Sequence, residues 1–177
     1  MMRSIFSFVP VFYTLVVFGQ DSSIPYPIRV PSSSRPIWHT YAKGVQVYVC
    51  TQDPRDSTNY IWTFKEPRAN LYADTGYRQL VGQHYFDAGK NPTWAADDGS
   101  KVSGMKVQQA NSPDSTAIPW ILLQATVRSG NGTLGRAMFI QRIRTKGGKA
   151  PATGDRQSKG QSIEVAYTAE YVFYSEK

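Results

Sequence analysis

The sequence has one cysteine and two histidines in 177 residues. A single cysteine cannot form an intramolecular disulfide, so the chain is not a disulfide-stapled scaffold, and Cys50 is predicted to be a small buried side chain. One cysteine and two scattered histidines do not match the ligand spacing of a structural zinc site. No stretch carries the alternating carboxylates of a calcium loop. We therefore expect neither a metal ion nor a cofactor.

Long apolar stretches are also scarce, and the most continuous one lies at the start of the chain. Residues 5–18 are predominantly apolar, follow the basic Arg3 and precede the polar residues 21–23. This pattern is typical of an export signal and is too short for a comfortable membrane span. It predicts a signal peptide at residues 1–20, a secreted, periplasmic or extracellular protein, and no integral membrane span after cleavage. A buried N-terminal strand or an uncleaved anchor is the alternative.

The charge is basic but diffuse. Lysine and arginine number 20 against 13 acidic residues, for a net charge of +7, and the only basic cluster lies at residues 142–149. Such a cluster can bind an anionic partner such as a polysaccharide, a lipid headgroup or a nucleic acid, but a solvated strand end is the simpler interpretation. Because no nucleic-acid-binding module accompanies it, we expect no nucleic-acid partner.

Residues 21–36 are rich in proline and serine, which predicts an N-terminal arm with little packing of its own. From residue 37 onwards, short alternating segments separated by turn residues predict about seven to nine strands and little helix. The expected fold is all-β, a single antiparallel β-sandwich or barrel spanning residues 37–177. The clearest predicted strands are 43–50, 60–64, 79–86, 101–109, 134–144 and 162–174, whereas 66–72 fits either a helical turn or a short strand.

Residues 117–127 are apolar on both parities over most of their length. A strand that does not alternate is covered on both faces, so this segment is predicted to be the central buried strand.

Two glycine-containing turns need interpretation. Asp98-Gly99 between two extended segments predicts a hairpin. Residues 130–135 match the dinucleotide-binding pattern G-x-G-x-x-G, but that motif needs a following helix to hold a pyrophosphate, and the chain turns again at Gly147. A hairpin turn at Asn131-Gly132 is therefore the favoured interpretation.

The strongest candidate site combines an imidazole, an indole, carboxylates and a hydroxyl, which the sequence places close together and largely on a loop at 87–100. A tryptophan can stack on a sugar face, a carboxylate can accept hydroxyl protons, and a histidine beside a carboxylate can act as a general base. The simpler alternative is turn chemistry around a structural histidine. The members are His84, Trp94, Asp97, Asp98 and Ser100.

A second polar cluster is predicted at Gln141, Arg142 and Thr145. If the face that carries Arg142 is internal, its charge needs a partner. Glu170 on the last predicted strand is the expected one.

Together these features predict a non-enzymatic binding or envelope-associated β domain whose pocket takes a glycan or another small extracellular ligand. The first alternative is a secreted hydrolase or oxidoreductase that uses His84 and Asp98. The second is a purely structural module. We expect the binding alternative because no complete catalytic set is present.

Seven segments follow one another along the chain at residues 44–50, 64–71, 82–85, 92–100, 118–123, 140–151 and 167–174. Together they resemble a known family of secreted bacterial and fungal proteins, catalogued only as a domain of unknown function (number three-four-five-five in that series). The resemblance implies export and a β fold but no established activity. Some fungal relatives carry a malate dehydrogenase label, but this sequence has no nucleotide-binding site that would support that activity. The family pattern also implies a second cysteine near Gly154-Asp155 to pair with Cys50, and this chain lacks it.

Overall fold

The computed structural model describes residues 23–177, and eight β-strands account for most of them. The predicted signal peptide at residues 1–20 lies outside the described residues. The strands are β1 Ser34–Asp53, β2 Asp56–Tyr72, β3 Leu80–Phe86, β4 Pro92–Ala96, β5 Lys101–Ala110, β6 Trp120–Ser129, β7 Phe139–Gly147 and β8 Ser162–Glu176.

Each strand pairs antiparallel with the next one in sequence, and β8 pairs back onto β1. The result is a closed barrel, which confirms the predicted all-β antiparallel fold. Closure leaves no free sheet edge. The β1–β8 ladder is the longest, running from Ser34 opposite Glu176 to Val49 opposite Ser162.

The side chains of β8 alternate between the interior and the exterior of the barrel. Side chains of one parity, Tyr167, Ala169, Tyr171 and Phe173, are at most 3% exposed and belong to the main core. The predicted strand 162–174 is confirmed, since successive side chains of a strand point to opposite faces.

Three strand predictions differ from the structure. The strand predicted at 134–144 begins only at Phe139, because Thr133–Arg136 form a 3-10 turn. β2 is one continuous strand to Tyr72, so the helical turn considered at 66–72 is absent. β4 lies inside the segment predicted as a loop at 87–100. It is only five residues long and begins with Pro92, a residue that strands tolerate at their first position, so turn residues on both sides hid it.

β6 contains most of the segment predicted to be covered on both faces. Leu123 packs in the interior, while Trp120 and Leu122 lie in a second cluster on the outer side. Beyond Leu123 only Ala125 still packs against the core, and Val127 is 61% exposed. The prediction is therefore confirmed for the first half of the segment only, and no strand of a closed barrel is central.

The N-terminal arm covers that outer cluster, so the prediction that it packs little is wrong. Ile24, Ile28 and Val30 are 5%, 0% and 6% exposed and form one cluster with Trp120, Leu122, Ile143 and Val172. Proline prevents the arm from forming a ladder over most of its length, but three aliphatic side chains still bury apolar surface. The first strand also begins at Ser34, before the predicted domain start at residue 37.

One end of the barrel is filled. The connection between β6 and β7 contains a 3-10 turn at Thr133–Arg136, and its Leu134 and Ala137 are fully buried in the main core. No α-helix follows the glycines of residues 130–135, so the nucleotide-binding motif is not formed. The predicted hairpin is correct, although the connection is longer than the two-residue turn expected at Asn131-Gly132.

Residues 23–177 contain no helix that is both long and apolar enough to cross a membrane.

Candidate functional site

The barrel contains a cavity of about 440 Å³ at the end opposite the Leu134 plug. Residues from all eight strands line it, together with Ile118 and Pro119 just before β6. This volume lies within the range of small-molecule sites, and eight-stranded barrels are just wide enough to hold one small ligand. The cavity includes exposed residues at its rim, such as Phe64 at 42% exposure, so it is open to solvent.

The walls are mainly apolar and aromatic. Tyr48, Phe64 and Phe86 form a chain of edge-to-face contacts near the rim, with ring centroids 5.6 Å apart in both pairs. Such contacts hold aromatic rings in fixed positions. The remaining apolar lining residues are Pro67, Pro92, Trp94, Ile118, Pro119, Ile121 and Leu123.

His84 belongs to this wall. Its ring stacks on Trp94 with centroids 4.4 Å apart and an interplanar angle of 7°, and meets the edge of Tyr171 at 5.2 Å. The stack follows from the register, because His84 lies directly opposite Trp94 in the β3–β4 pair. The structure therefore brings together the imidazole and the indole of the predicted site, but on paired strands rather than on a loop.

The electrostatics of His84 do not suit a general base. Burial lowers its pKa to about 3, and the hydrogen bond to Thr93 opposes that shift only in part. Nδ1 lies 3.0 Å from the Thr93 carbonyl oxygen, which can only accept, so Nδ1 carries the proton of a neutral ring. A group with so low a pKa is a weak base at neutral pH.

Asp98 does not pair with His84, so the predicted His/Asp pair is not formed. The Asp98 carboxylate accepts hydrogen bonds from the backbone N–H of Thr133 at 2.7 Å and from the N–H and hydroxyl of Ser100 at 2.9 and 2.5 Å. These bonds lower the pKa of Asp98 to about 2. The hydroxyl of Ser100 in turn accepts from the N–H of Leu134 at 2.9 Å. Asp98 and Ser100 therefore brace the filled end of the barrel.

Asp97 is exposed in the same turn, and its backbone N–H donates to the Val81 carbonyl. The turn itself has the predicted form, since Gly99 adopts a positive φ of 84° between β4 and β5. Asp97, Asp98 and Ser100 are thus placed apart from the cavity that His84 and Trp94 line.

The second predicted cluster is divided between the two sides of the sheet. Gln141 is buried under the arm, where its Nε2 donates to the Ile28 carbonyl at 2.7 Å and its Oε1 accepts from Tyr174 at 3.0 Å. Thr145 is also buried, and its hydroxyl donates to the Ile118 carbonyl at 2.6 Å. Only Arg142 lines the cavity.

Arg142 lies on an internal face of the sheet, but the prediction that Glu170 is its partner is wrong. Its Nε and Nη2 donate to the Pro119 carbonyl at 3.3 and 2.9 Å, and no carboxylate of residues 23–177 forms an ion pair with it. Glu170 instead lies on the outer face of β8, where it accepts from His39 and Arg144, both at 2.8 Å. Adjacent residues of a strand point to opposite faces, so Glu170 and the inward-facing Tyr171 cannot share a side.

Several polar groups near Arg142 lack hydrogen-bond partners within residues 23–177. The side-chain nitrogen of Gln46 and the hydroxyls of Tyr167 and Tyr171 are buried without a hydrogen bond of good geometry. Burial raises the pKa of both tyrosines, and the charge of Arg142 counteracts this shift in both. The Tyr167 hydroxyl lies near Gln46 and near the Tyr171 hydroxyl, and the Tyr171 hydroxyl lies near Arg142, but none of these contacts has good hydrogen-bond geometry.

The sequence did not indicate Gln46, Tyr48, Tyr167 or Tyr171 as site residues. A signal existed for the two tyrosines of β8, which share the apolar parity of that strand. For β1, the valines at 45, 47 and 49 share a face, as predicted, but the opposite parity with Gln46 and Tyr48 lines the cavity. The sequence of β1 alone does not show which of its two faces points into the barrel.

Within the described part of the chain, no three His, Cys, Asp or Glu side chains lie close enough to hold a metal ion.

Comparison with protein-family models matches residues 31–175 to a family described as "Protein of unknown function (DUF3455)". The chain belongs to this family. The match spans the whole barrel except the last residue of β8, together with the end of the arm. Searches of the curated proteins and of the solved structures find no match.

Proposed function

We propose that this DUF3455 member is an exported, non-enzymatic binding protein that takes a small, largely apolar molecule into the open end of its barrel. The observation that carries the proposal is the 440 Å³ cavity with aromatic and aliphatic walls. Sites of this kind bind by burying apolar surface, while a few polar groups fix the orientation of the ligand. Export rests on the pattern of residues 1–20.

The alternatives have less support. A hydrolase or oxidoreductase would need the His84–Asp98 pair, but each group bonds elsewhere. A glycan site would need an open aromatic face, whereas Trp94 is 1% exposed and one of its faces is covered by His84. A purely structural module would not need an open cavity, because small barrels are normally filled by their own side chains.

Titration with the neutral fluorophore N-phenyl-1-naphthylamine tests the proposal. The wild-type protein should bind it saturably, with one probe per chain. Ile121→Trp should weaken binding at least tenfold, because the indole occupies space in the cavity that Ile121 lines. The matched control is Val127→Trp on the same strand, where the side chain is 61% exposed.

Melting curves of both variants establish that they are folded. Absence of saturable binding by the wild type would overturn the proposal. So would unchanged binding by a folded Ile121→Trp protein.

A further inference from the structure

The charged side chains that line the cavity are all positive. Among the residues that line it are two cations, Arg142 and Lys106, and no aspartate or glutamate. Lys106 is exposed at the rim and donates to Gln109, whereas Arg142 is half-buried. A cleft lined by charges of one sign within low-dielectric walls attracts the opposite charge.

Arg142 has unused binding capacity. A guanidinium has five N–H donors, and here Nε and Nη2 share a single carbonyl, that of Pro119. The guanidinium also lies near the Tyr171 hydroxyl, but within residues 23–177 the two do not form a hydrogen bond of good geometry. The planar fork of an arginine matches a carboxylate well, and a half-buried cation gains most when an anion completes its surroundings.

Unsatisfied donors accompany this charge. Gln46 is 3% exposed and Tyr171 is 0% exposed, and both line the cavity. Within residues 23–177, the Gln46 amide nitrogen and the Tyr171 hydroxyl form no hydrogen bond of good geometry, although Gln46 lies near Tyr167 and Tyr171 near Arg142. A buried polar group without a partner costs roughly 1–3 kcal/mol, so native proteins seldom retain several together. A carboxylate has about four acceptor positions and could receive all of these donors at once.

From this arrangement we infer that the ligand carries a single carboxylate, held by Arg142 and by the donors of Gln46 and Tyr171, with an apolar or aromatic body against the remaining wall. The inference rests on the proposed function, since it specifies the ligand of the same cavity. One charge is matched by one half-buried guanidinium, and the apolar body is matched by Ile121, Leu123 and the rim phenylalanines. The ligand class is thus an amphipathic or aromatic monocarboxylate.

Calorimetric titration with 2-naphthoate and 2-naphthamide tests this inference, because the two probes have nearly the same shape and differ in charge. The wild-type protein should bind the naphthoate at least about tenfold more tightly, as expected for charge-assisted hydrogen bonds. Arg142→Gln should abolish that preference. Arg136→Gln should leave it unchanged, since Arg136 is exposed at the filled end of the barrel.

Tyr171→Phe provides a second variant that is expected to fold, because it removes a hydroxyl that is already unsatisfied. Its affinity for naphthoate should fall about threefold to tenfold, with no loss in melting temperature.

The outcomes distinguish this inference from the proposed function. Equal binding of naphthoate and naphthamide, with saturable binding of the neutral fluorophore, would overturn the inference that the ligand carries a carboxylate. The proposed binding function would still stand. A preference for naphthoate that survives in Arg142→Gln would overturn the assignment to Arg142. If no probe bound, both proposals would fail.

Discussion

The imidazole of His84 lies flat against the indole of Trp94, with the ring centroids 4.4 Å apart. The two residues face each other across β3 and β4, and Tyr171 from β8 meets both rings edge-on. Strands far apart in sequence therefore meet at one aromatic cluster inside the barrel. In this setting the histidine is part of a wall, and its neutral state is a consequence of burial.

The first prediction concerns the pH dependence of stability. The pKa of His84 is about 3 in the folded protein against 6.5 for an unperturbed histidine, so the unfolded state takes up the proton first as the pH falls. The stabilisation is complete above pH 6.5 and decreases as the pH falls towards 3. Between pH 7 and pH 5 this linkage should cost about 2 kcal/mol in the free energy of unfolding.

His84→Phe removes the titrating group and keeps an aromatic ring against Trp94. Urea unfolding at both pH values should show a smaller loss of stability for this variant than for the wild type. Other titrations occur in both proteins and cancel in the comparison. Equal losses in the two proteins, or an NMR titration of the His84 ring near pH 6.5, would show that the imidazole is not held neutral.

A second prediction separates the filled end of the barrel from the cavity. Asp98→Asn replaces an acceptor of three hydrogen bonds, one of them from the connection that carries Leu134. Because Asp98 is exposed, the loss should be modest, about 1 kcal/mol in the free energy of unfolding. This contribution should itself fade as the pH falls from 3.8 towards 2, since the folded-state pKa of Asp98 is lowered.

The matched control is Asp97→Asn, a change of the same kind at the exposed neighbouring residue, which should have little effect on stability. Neither variant should alter probe binding. A large loss of affinity in Asp98→Asn at unchanged fold would place Asp98 at the binding site after all.

The third prediction concerns the N-terminal arm. Ile28 is fully buried against the outside of the barrel, so Ile28→Ala should cost about 2–4 kcal/mol in the free energy of unfolding. Tyr26→Ala, two residues earlier, should change stability by less than about 0.5 kcal/mol because Tyr26 is 83% exposed. Denaturant unfolding of the two variants measures the difference, and similar values would mean that the arm does not pack as described.

The fourth prediction uses the only cysteine. Cys50 is free and buried, and a Cβ atom placed on Gly154 would lie 2.7 Å from its Sγ atom. Gly154→Cys should therefore form a disulfide with Cys50 under oxidising conditions. The bond closes a loop of about a hundred residues and should stabilise the oxidised form by about 2–4 kcal/mol over the reduced form.

Gly154→Ala is the control, because it adds the same Cβ without a second sulfur and should be destabilised by the close contact with Cys50. Thiol counting on the unfolded, oxidised Gly154→Cys protein should find no free thiol. Two free thiols would mean that residues 50 and 154 are not adjacent. The site agrees with the second cysteine that the resemblance to the family implied near Gly154-Asp155.

The fold class was predictable because its signals are local. The alternation of β8 and the Asp98-Gly99 turn depend on residues next to each other in sequence, and both occur in the structure. The choice between sandwich and barrel was not predictable, since it depends on the pairing of β1 with β8, which lie more than a hundred residues apart in the chain.

The candidate site was only partly predictable for the same reason. His84 and Trp94 were selected as neighbours in sequence and remain neighbours across a hairpin. Asp98 is just as close in sequence but lies past the end of β4, at the filled end of the barrel. The sequence predicted a carboxylate partner for Arg142 only if its face is internal, and which residues surround Arg142 depends on barrel closure. Gln46 and Tyr171 join it from the first and last strands.

The most direct test of the central claim is to locate a bound probe by NMR. Nuclear Overhauser effects between 2-naphthoate protons and the protein's methyl groups report which side chains the ligand touches. The barrel cavity predicts contacts to Ile118, Ile121 and Leu123, and none to Leu71 or Leu134 at the filled end. Contacts confined to exposed methyl groups such as those of Val107 and Val127 would contradict it.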